Sequence, residues 1–223
     1  MQEVNIDRDI NLTIENTASS LLDSKVSSHG GVLYSVVKRC FDFTVAFLAL
    51  ILSSPLFLLI SIAIAVDSKC GVIFRQERLG LRGKPFMMYK FRSMRADAEI
   101  NGACWAEKDD PRVTRVGKFI RLVRLDEIPQ LINIIKGDMS IVGPRPERAC
   151  FYDEFEKYIP HFRKRLEVIP GLTGWAQVNG GYDLAPEEKI VYDLEYIRKR
   201  TVWMDLKCIF LTIRVVFKSD GAR

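Results

Sequence analysis

Residues 41–66 read FDFTVAFLALILSSPLFLLISIAIAV, a run of 26 residues carrying a single charge, Asp42. A helix needs ~20 apolar residues to cross the hydrocarbon core of a bilayer, so this run is long enough to enter one. Its middle carries Ser53-Ser54-Pro55. Proline has no amide donor for its helical turn and its ring crowds the turn before, so the chain is expected to bend or break there. Both flanks are basic: Lys38 and Arg39 precede the run, and Lys69, Arg75, Arg78, Arg82 and Lys84 follow it. Positive charge marks the cytoplasmic side of a membrane segment. A helix that enters, turns at Ser54-Pro55 and returns satisfies both flanks. A straight single-pass helix with a tolerated kink fits the length equally well, and a buried helix of a soluble protein is a third reading. A cleaved signal peptide fits poorly, because the run is long and begins after forty residues without a basic start.

Outward from this segment the chain divides in three. Residues 1–33 are polar and mildly acidic, with Ser19-Ser20, Ser27-Ser28 and Gly30-Gly31, and read as a flexible tail. Residues 34–67 form the membrane segment, and 68–223 are left for one compact domain of ordinary size. In that domain Val72-Ile73-Phe74 and Phe86 to Phe91 are short strand-like runs separated by Gly80, Gly83 and Pro85, which predicts a hairpin. Helices are expected over 111–125, over 131–136 up to Gly137, and over 149–167, 186–200 and 203–217. The fold class is therefore α+β and mostly helical, with a small β element.

Composition narrows the chemistry. Five cysteines are scattered without a C-x-x-C pair, which argues against a disulfide framework or a thiolate zinc site. With His29 and His161 as the only histidines, a histidine-rich metal site and a Ser-His-Asp triad are both disfavoured. Chemistry falls to carboxylates, Arg and Lys. The net charge of +5 suits an anionic partner such as a phosphate or lipid head group, and is too small to imply nucleic acid.

Arg121-Leu-Val-Arg-Leu-Asp126-Glu127-Ile-Pro129-Gln130 places two adjacent acids where Pro129 marks a helix start. Anions are favoured there, but adjacent carboxylates also need a cation, which Arg121, Arg124 or a bound Mg²⁺ can supply. One carboxylate can then attack phosphorus while the other holds the metal. A capped helix start with solvated acids is the plain alternative. In Gly143-Pro-Arg145-Pro-Glu147 an arginine between two prolines is aimed at low entropic cost, for a phosphate or for a structural salt bridge. The ladder Arg112, Arg115, Lys118, Arg121, Arg124 suits an anionic membrane surface or simply a solvated face. Lys90 and Arg92 add two cations on an aromatic-rich strand. Pro170 to Gly181 is dense in glycine and amides, as loops that approach a ligand often are, though Trp175 can equally well just pack.

Taken in order, these stretches resemble one family over residues 34–223. They are Lys38-Arg39 before the Ser54-Pro55 segment, Lys90-Phe-Arg-Ser-Met94, Asp110-Pro-Arg-Val-Thr-Arg-Val-Gly117, Leu125-Asp-Glu-Ile-Pro-Gln-Leu131, Gly137 to Glu147 and Gly171-Leu-Thr-Gly-Trp-Ala-Gln-Val-Asn179. The chain resembles the bacterial sugar transferases, the monotopic polyprenyl-phosphate phosphoglycosyl transferases. The resemblance implies a re-entrant membrane helix hairpin with both ends in the cytoplasm, joined to a catalytic domain that lies against the inner membrane on amphipathic interfacial helices.

It further implies that Asp126 attacks the sugar-bearing phosphate of a UDP-sugar, releasing UMP. Undecaprenyl phosphate then takes the phosphosugar, the first step toward an exopolysaccharide, capsule or other glycoconjugate. By resemblance Asp126 and Glu127 hold Mg²⁺, Arg121 and Arg145 bind phosphate, and Lys90 and Arg92 are looser matches at the substrate. Expected partners are the UDP-sugar, undecaprenyl phosphate and membrane lipid, with no nucleic acid; a homodimer is among the assemblies this allows. One departure is visible: many members carry a basic residue after Val-Asn-Gly, where this chain has Gly181 followed by Tyr182.

Overall fold

A computed structural model describes residues 31–68, 71–100, 110–180 and 184–218. The tail expected over 1–33 therefore lies almost wholly outside the described residues, as do Gly181 and Tyr182.

The apolar run lies in helix α1, Val32–Asp67, 36 residues long with Pro55 inside it. The stretch expected to bend or break at Ser54-Pro55 keeps helical backbone conformation throughout. Pro55 has no amide to give the carbonyl of Ile51, and the Ser54 hydroxyl donates to that carbonyl instead, at 2.7 Å. Ser53 does the same for Leu50 at 3.3 Å.

Both ends of α1 dock on the rest of the chain. Before Pro55, Arg39 donates to the carbonyls of Ile134 and Ile135 at 2.6 and 2.7 Å. Asp42 accepts from the Ser140 hydroxyl at 2.7 Å and the Ile141 amide at 3.2 Å, while Lys38 pairs with Asp205 at 3.0 Å. After Pro55, Phe57 meets the ring of Phe91 at 4.6 Å, and Ile60 and Ile64 are buried with Phe91 and Ile120. Asp67 accepts from the amide of Val116 at 3.1 Å. Between the docked ends the apolar side chains point outward, Leu52 being 81% and Leu59 64% exposed.

The body is assembled around two small sheets. Strands β1, Ile73–Leu79, and β2, Pro85–Phe91, form the expected antiparallel hairpin in the register Ile73↔Phe91 to Leu79↔Pro85. Its turn runs through Arg82 and Gly83, both at positive φ. A second sheet was not anticipated: β3, Ser140–Val142, lies parallel to β4, Gly171–Thr173. This sheet brings the loop after β3 and the glycine-rich stretch together. A methyl group on Gly171 would sit 2.1 Å from the Gly143 nitrogen, so only glycine permits the approach.

The helices are shorter than the periodicity suggests. Helix α2, Arg115–Leu122, is capped by Thr114, whose side chain accepts from the Gly117 amide, and so starts four residues after the expected Pro111. Its continuation stops because Arg124 turns left-handed at φ 59, and Leu125–Glu127 form a 3₁₀ turn. Helix α3, Gln130–Lys136, ends at Gly137 with φ 93, as expected. The helix expected over 149–167 is interrupted: α4, Ala149–Phe155, is separated by Pro160 and a left-handed His161 from a 3₁₀ turn at Phe162–Glu167. Helix α5, Trp175–Asn179, is followed by α6, Pro186–Lys199, and α7, Val202–Lys218.

The main core gathers Ile134, Met139, Val142, Tyr152, Phe162 and Tyr196 between α3, α4 and α6. Phe119 on α2 and Trp203 and Phe210 on α7 remain 61%, 80% and 72% exposed, which fits helices that present an apolar face to an interface.

Candidate active site

Asp126 and Glu127 lie in the 3₁₀ turn that leads into α3. The left-handed Arg124 reverses the chain at the end of α2 and sets the two acids beside β2. Asp126 is only 8% exposed and stands in the wall of a cavity of about 320 Å³. Lys90 from β2, Arg92 just past its end, Arg121 and Arg124 from the α2 end, and Arg145 from the loop after β3 line the same cavity. The sequence marks all five cations and assigns four, Lys90, Arg92, Arg121 and Arg145, to the substrate; the structure brings those four to one cavity, where Lys90, Arg121 and Arg145 act on the charge of Asp126.

Glu127 is tied to two of them. Arg145 donates to its carboxylate at 2.5 Å and Lys90 stands 3.6 Å away. Burial pushes the Glu127 carboxyl up, but Arg145 and then Lys90 outweigh it and bring its pKa down to about 2. Asp126 is shifted the other way. Burial raises its pKa, Lys90 opposes, and the charge of Glu127 raises it further. The adjacent acids are thus shifted in opposite directions, Glu127 down by its cations and Asp126 up by burial and by the charge of Glu127.

Arg145 is fixed from three sides. Besides Glu127, its guanidinium donates to the Leu172 carbonyl at 3.3 Å, and its own carbonyl accepts from Arg165 at 3.0 Å. Arg165 is buried and pairs with the buried Asp193 at 2.6 Å. Burial pushes the Asp193 carboxyl up against the pull of Arg165. Arg165, Asp193, Lys189, Gln177 and the Arg78–Glu147 pair, 2.8 Å apart, complete the far wall of the cavity. Sequence reading missed these residues. Gln177 and Glu147 stand inside motifs without a role of their own, Arg78 reads only as a basic flank, and nothing local marks Arg165 and Asp193, 28 positions apart, as partners.

The Arg112-to-Arg124 ladder does not form one stripe. Arg112 pairs with Asp110 at 2.5 Å and, with Arg121 and Arg124, faces the cavity, whereas Arg115 and Lys118 are exposed. Lys38, Arg39, Ser54 and Pro55 lie in α1 and serve docking and helix continuity, apart from the cavity.

Magnesium usually takes one or two protein carboxylates and completes its shell with water and substrate phosphates. Asp126 at the wall and Glu127 beside it provide that donor set, and among the described residues no group of three acids, histidines or cysteines forms a cage. The pair fits an ion held jointly with a phosphorylated substrate.

By length and composition α1 can enter a bilayer, and the body it docks on carries an arginine-rich cavity with the buried Asp126 in its wall, a setting suited to a polyanion. The family model described as bacterial sugar transferase matches residues 33–219, and the chain belongs to that family. It is 43% identical over 212 residues to the UDP-N-acetylgalactosamine-undecaprenyl-phosphate N-acetylgalactosaminephosphotransferase of Aeromonas hydrophila, covering 94% of this chain and 48% of the relative. It is 43% identical over 192 residues to the UDP-glucose:undecaprenyl-phosphate glucose-1-phosphate transferase of Escherichia coli (strain K12), covering 84% and 41%. A protein of the same name from Caulobacter vibrioides is 39% identical over 190 residues, covering 83% and 71%. The chain thus spans about half the length of the first two relatives.

Proposed function

We propose that this protein transfers a sugar 1-phosphate from a UDP-sugar to undecaprenyl phosphate at the cytoplasmic face of the inner membrane, through a phosphosugar bound covalently to Asp126. The observation that carries the reading is the setting of Asp126: a carboxyl group in a cavity wall under the charges of Lys90, Arg121 and Arg145, with Arg92 lining the same cavity. The names of the relatives support the same donor and acceptor classes.

In the first step an Asp126 oxygen forms a bond to the sugar-bearing phosphorus. The bond from that phosphorus to the bridging oxygen breaks, and UMP departs with the electron pair. In the second step an oxygen of undecaprenyl phosphate attacks the same phosphorus, the acyl-phosphate bond breaks, and Asp126 is regenerated as a carboxylate. The sugar C1–oxygen bond survives both steps.

Phosphoryl transfer of this kind is governed by positioning and by neutralising charge on the phosphorus oxygens. Arg121 and Arg145 offer planar forks for phosphate, and Lys90 a point charge beside both acids. Glu127, kept ionised, orients Arg145 and Lys90. When bound, Mg²⁺ would be held by Asp126 and Glu127 and would screen the diphosphate charge.

The docking of α1 supports a membrane arrangement for the helix. A straight helix of 36 residues spans ~54 Å, well beyond the ~30 Å hydrocarbon core, and would put its ends on opposite faces. Lys38, Arg39 and Asp42 at one end and Ile64 and Asp67 at the other instead dock on the same body. That supports a re-entrant segment that bends near Pro55 and leaves both ends in the cytoplasm.

The test is a product assay across UDP-glucose, UDP-galactose and N-acetylated UDP-sugars, with undecaprenyl phosphate and Mg²⁺. UMP is the expected nucleotide product, and Asp126→Asn removes it. UDP as the nucleotide product, or full activity in that variant, contradicts the reading.

A further inference from the structure

Among the described residues, three side chains that line the cavity each carry a buried polar atom without a hydrogen-bond partner: Arg92 Nε, Arg165 Nη1 and Gln177 Oε1, the last two on neighbouring supports of Arg145. Burying such a group without a partner is costly, so an unmet one in a substrate cavity calls for a ligand atom.

The rest of each side chain is fixed, which leaves those atoms preset. Arg165 is 3% exposed; its Nε donates to Asp193 at 2.6 Å and its Nη2 to the Arg145 carbonyl at 3.0 Å. The ring of Phe162 lies 4.8 Å from its guanidinium carbon. Gln177 donates through Nε2 to the Leu172 carbonyl at 3.0 Å, which settles its amide orientation and leaves Oε1 as a pure acceptor. The same Leu172 carbonyl accepts from Arg145 at 3.3 Å. Arg165 and Gln177 are therefore each one hydrogen bond from a group that also holds Arg145, and Arg145 holds Glu127 beside the proposed nucleophile.

Charge decides what ligand group belongs there. Asp193 already neutralises Arg165, so the pair offers a donor without net charge, and Gln177 offers an acceptor. A phosphate oxygen can use the first and not the second. A hydroxyl group uses both, because it accepts and donates. In a UDP-sugar whose sugar-bearing phosphorus sits at Asp126, the transferred sugar is the nearest hydroxyl-bearing group, joined through one bridging oxygen, whereas the ribose hydroxyls lie beyond the second phosphate.

We infer that Arg165 and Gln177 bind hydroxyl groups of the transferred sugar, Arg165 Nη1 as donor and Gln177 Oε1 as acceptor. This rests on the proposed UDP-sugar reaction and adds to it the place where the sugar is held. Binding of the sugar here uses neutral hydrogen bonds, in contrast to the cationic contacts that hold the diphosphate.

The experiment is equilibrium titration of the full chain in detergent with UMP, UDP-glucose and UDP-N-acetylgalactosamine, alongside UMP-release assays. Gln177→Met keeps the volume and removes the acceptor, while the Leu172 carbonyl keeps its bond to Arg145. Arg165→Lys keeps the charge opposite Asp193 and removes the fork. Gln177→Met is expected to bind its preferred UDP-sugar about tenfold more weakly and to bind UMP as the wild type does, with an unchanged thermal midpoint; Arg165→Lys, which also gives up the bond to the Arg145 carbonyl, is expected to weaken the UDP-sugar more than UMP. Equal weakening of UMP and UDP-sugar would assign the two residues to the nucleotide and overturn the inference; so would unchanged affinity for both. Wild-type protein that binds a UDP-sugar without releasing UMP contradicts the proposed reaction and leaves the sugar site to be judged by the variants. Wild-type protein that releases UMP while the variants bind normally does the reverse, and wild-type protein that binds no UDP-sugar overturns both.

Discussion

The guanidinium of Arg145 donates to the Glu127 carboxylate at 2.5 Å, joining the loop after β3 to the turn that carries Asp126. Loop and turn are 18 positions apart in the chain, and the contact makes them one site. Lys90, 3.6 Å from the same carboxylate, brings in β2. Glu127 is thus the hub on which three separate segments are oriented.

Cutting that hub should be read in the kinetics. Charge-assisted hydrogen bonds of this sort contribute ~1.5–3 kcal/mol, so Glu127→Gln and Arg145→Ala are each expected to lower kcat/KM by about 10- to 100-fold or more. Arg145→Lys keeps the charge and loses the fork, and should fall between them and wild type. Steady-state UMP release measures all three. Equal activity of Arg145→Lys and wild type would contradict a forked contact.

The acid pair also predicts a pH dependence of stability, with opposite signs for its two members. Glu127 has its pKa lowered from 4.5 to about 2, so its contribution is complete above the ordinary value and is lost as pH falls toward the folded one. Asp126 has a raised pKa, so its share is present below the ordinary 3.8 and is lost as pH rises through the folded value. Glu127→Gln removes the acid-side loss. Between about pH 5 and about pH 3 its thermal midpoint, with chelator present, is expected to fall less than that of the wild type. Parallel curves would remove Glu127 from the account.

Topology can be tested with the cysteines already present. Cys40, exposed near the start of α1, and Cys150, exposed on α4, both belong to the cytoplasmic side if the helix returns at Pro55. A membrane-impermeant maleimide should leave both unlabelled in intact cells and label both in inverted vesicles. Labelling of Cys40 alone from outside would mean that α1 crosses. Cys208 makes an internal control: burial, aided by Asp205, pushes its thiol up to about 12, and it should stay unlabelled until the protein unfolds.

The sheet that joins the two loops is equally open to test. Gly171→Ala places a methyl group against the Gly143 backbone, where nothing flexible can yield. Overpacking of this kind costs about 1–3 kcal/mol, and separating β3 from β4 moves Arg145 as well. A lower thermal midpoint together with a lower kcat is expected, and a neutral Gly171→Ala would show that the approach is not required.

Much of this site could be read from the sequence because its parts are locally marked. Asp126 and Glu127 sit at a proline-flagged helix start, Arg145 lies between prolines, and Lys90 and Arg92 lie on an alternating strand. The apolar run announced α1, and its two basic flanks pointed to ends on one side. What escaped was long-range. β3 and β4 are three residues each and bordered by Gly143, Pro144 and Pro170, so they read as loops until the parallel pairing is seen. Arg165 stands in the basic stretch Arg163-Lys164-Arg165 with no local mark of a role, and only folding buries it against Asp193. The length of α2 was overestimated because Thr114 caps it later than Pro111 suggested, and Arg124 leaves helical conformation despite good helix propensity.

The central claim is that Asp126 carries the sugar phosphate. The direct measurement is to mix protein and UDP-sugar with Mg²⁺ and without undecaprenyl phosphate, quench, digest, and weigh the peptide that contains Asp126 and Glu127. A gain of one sugar phosphate on Asp126, matched by an equal amount of UMP and discharged when undecaprenyl phosphate is added, is the result predicted. Release of UMP only when the lipid acceptor is present, with the peptide unmodified, would mean that the transfer is direct and would contradict the account.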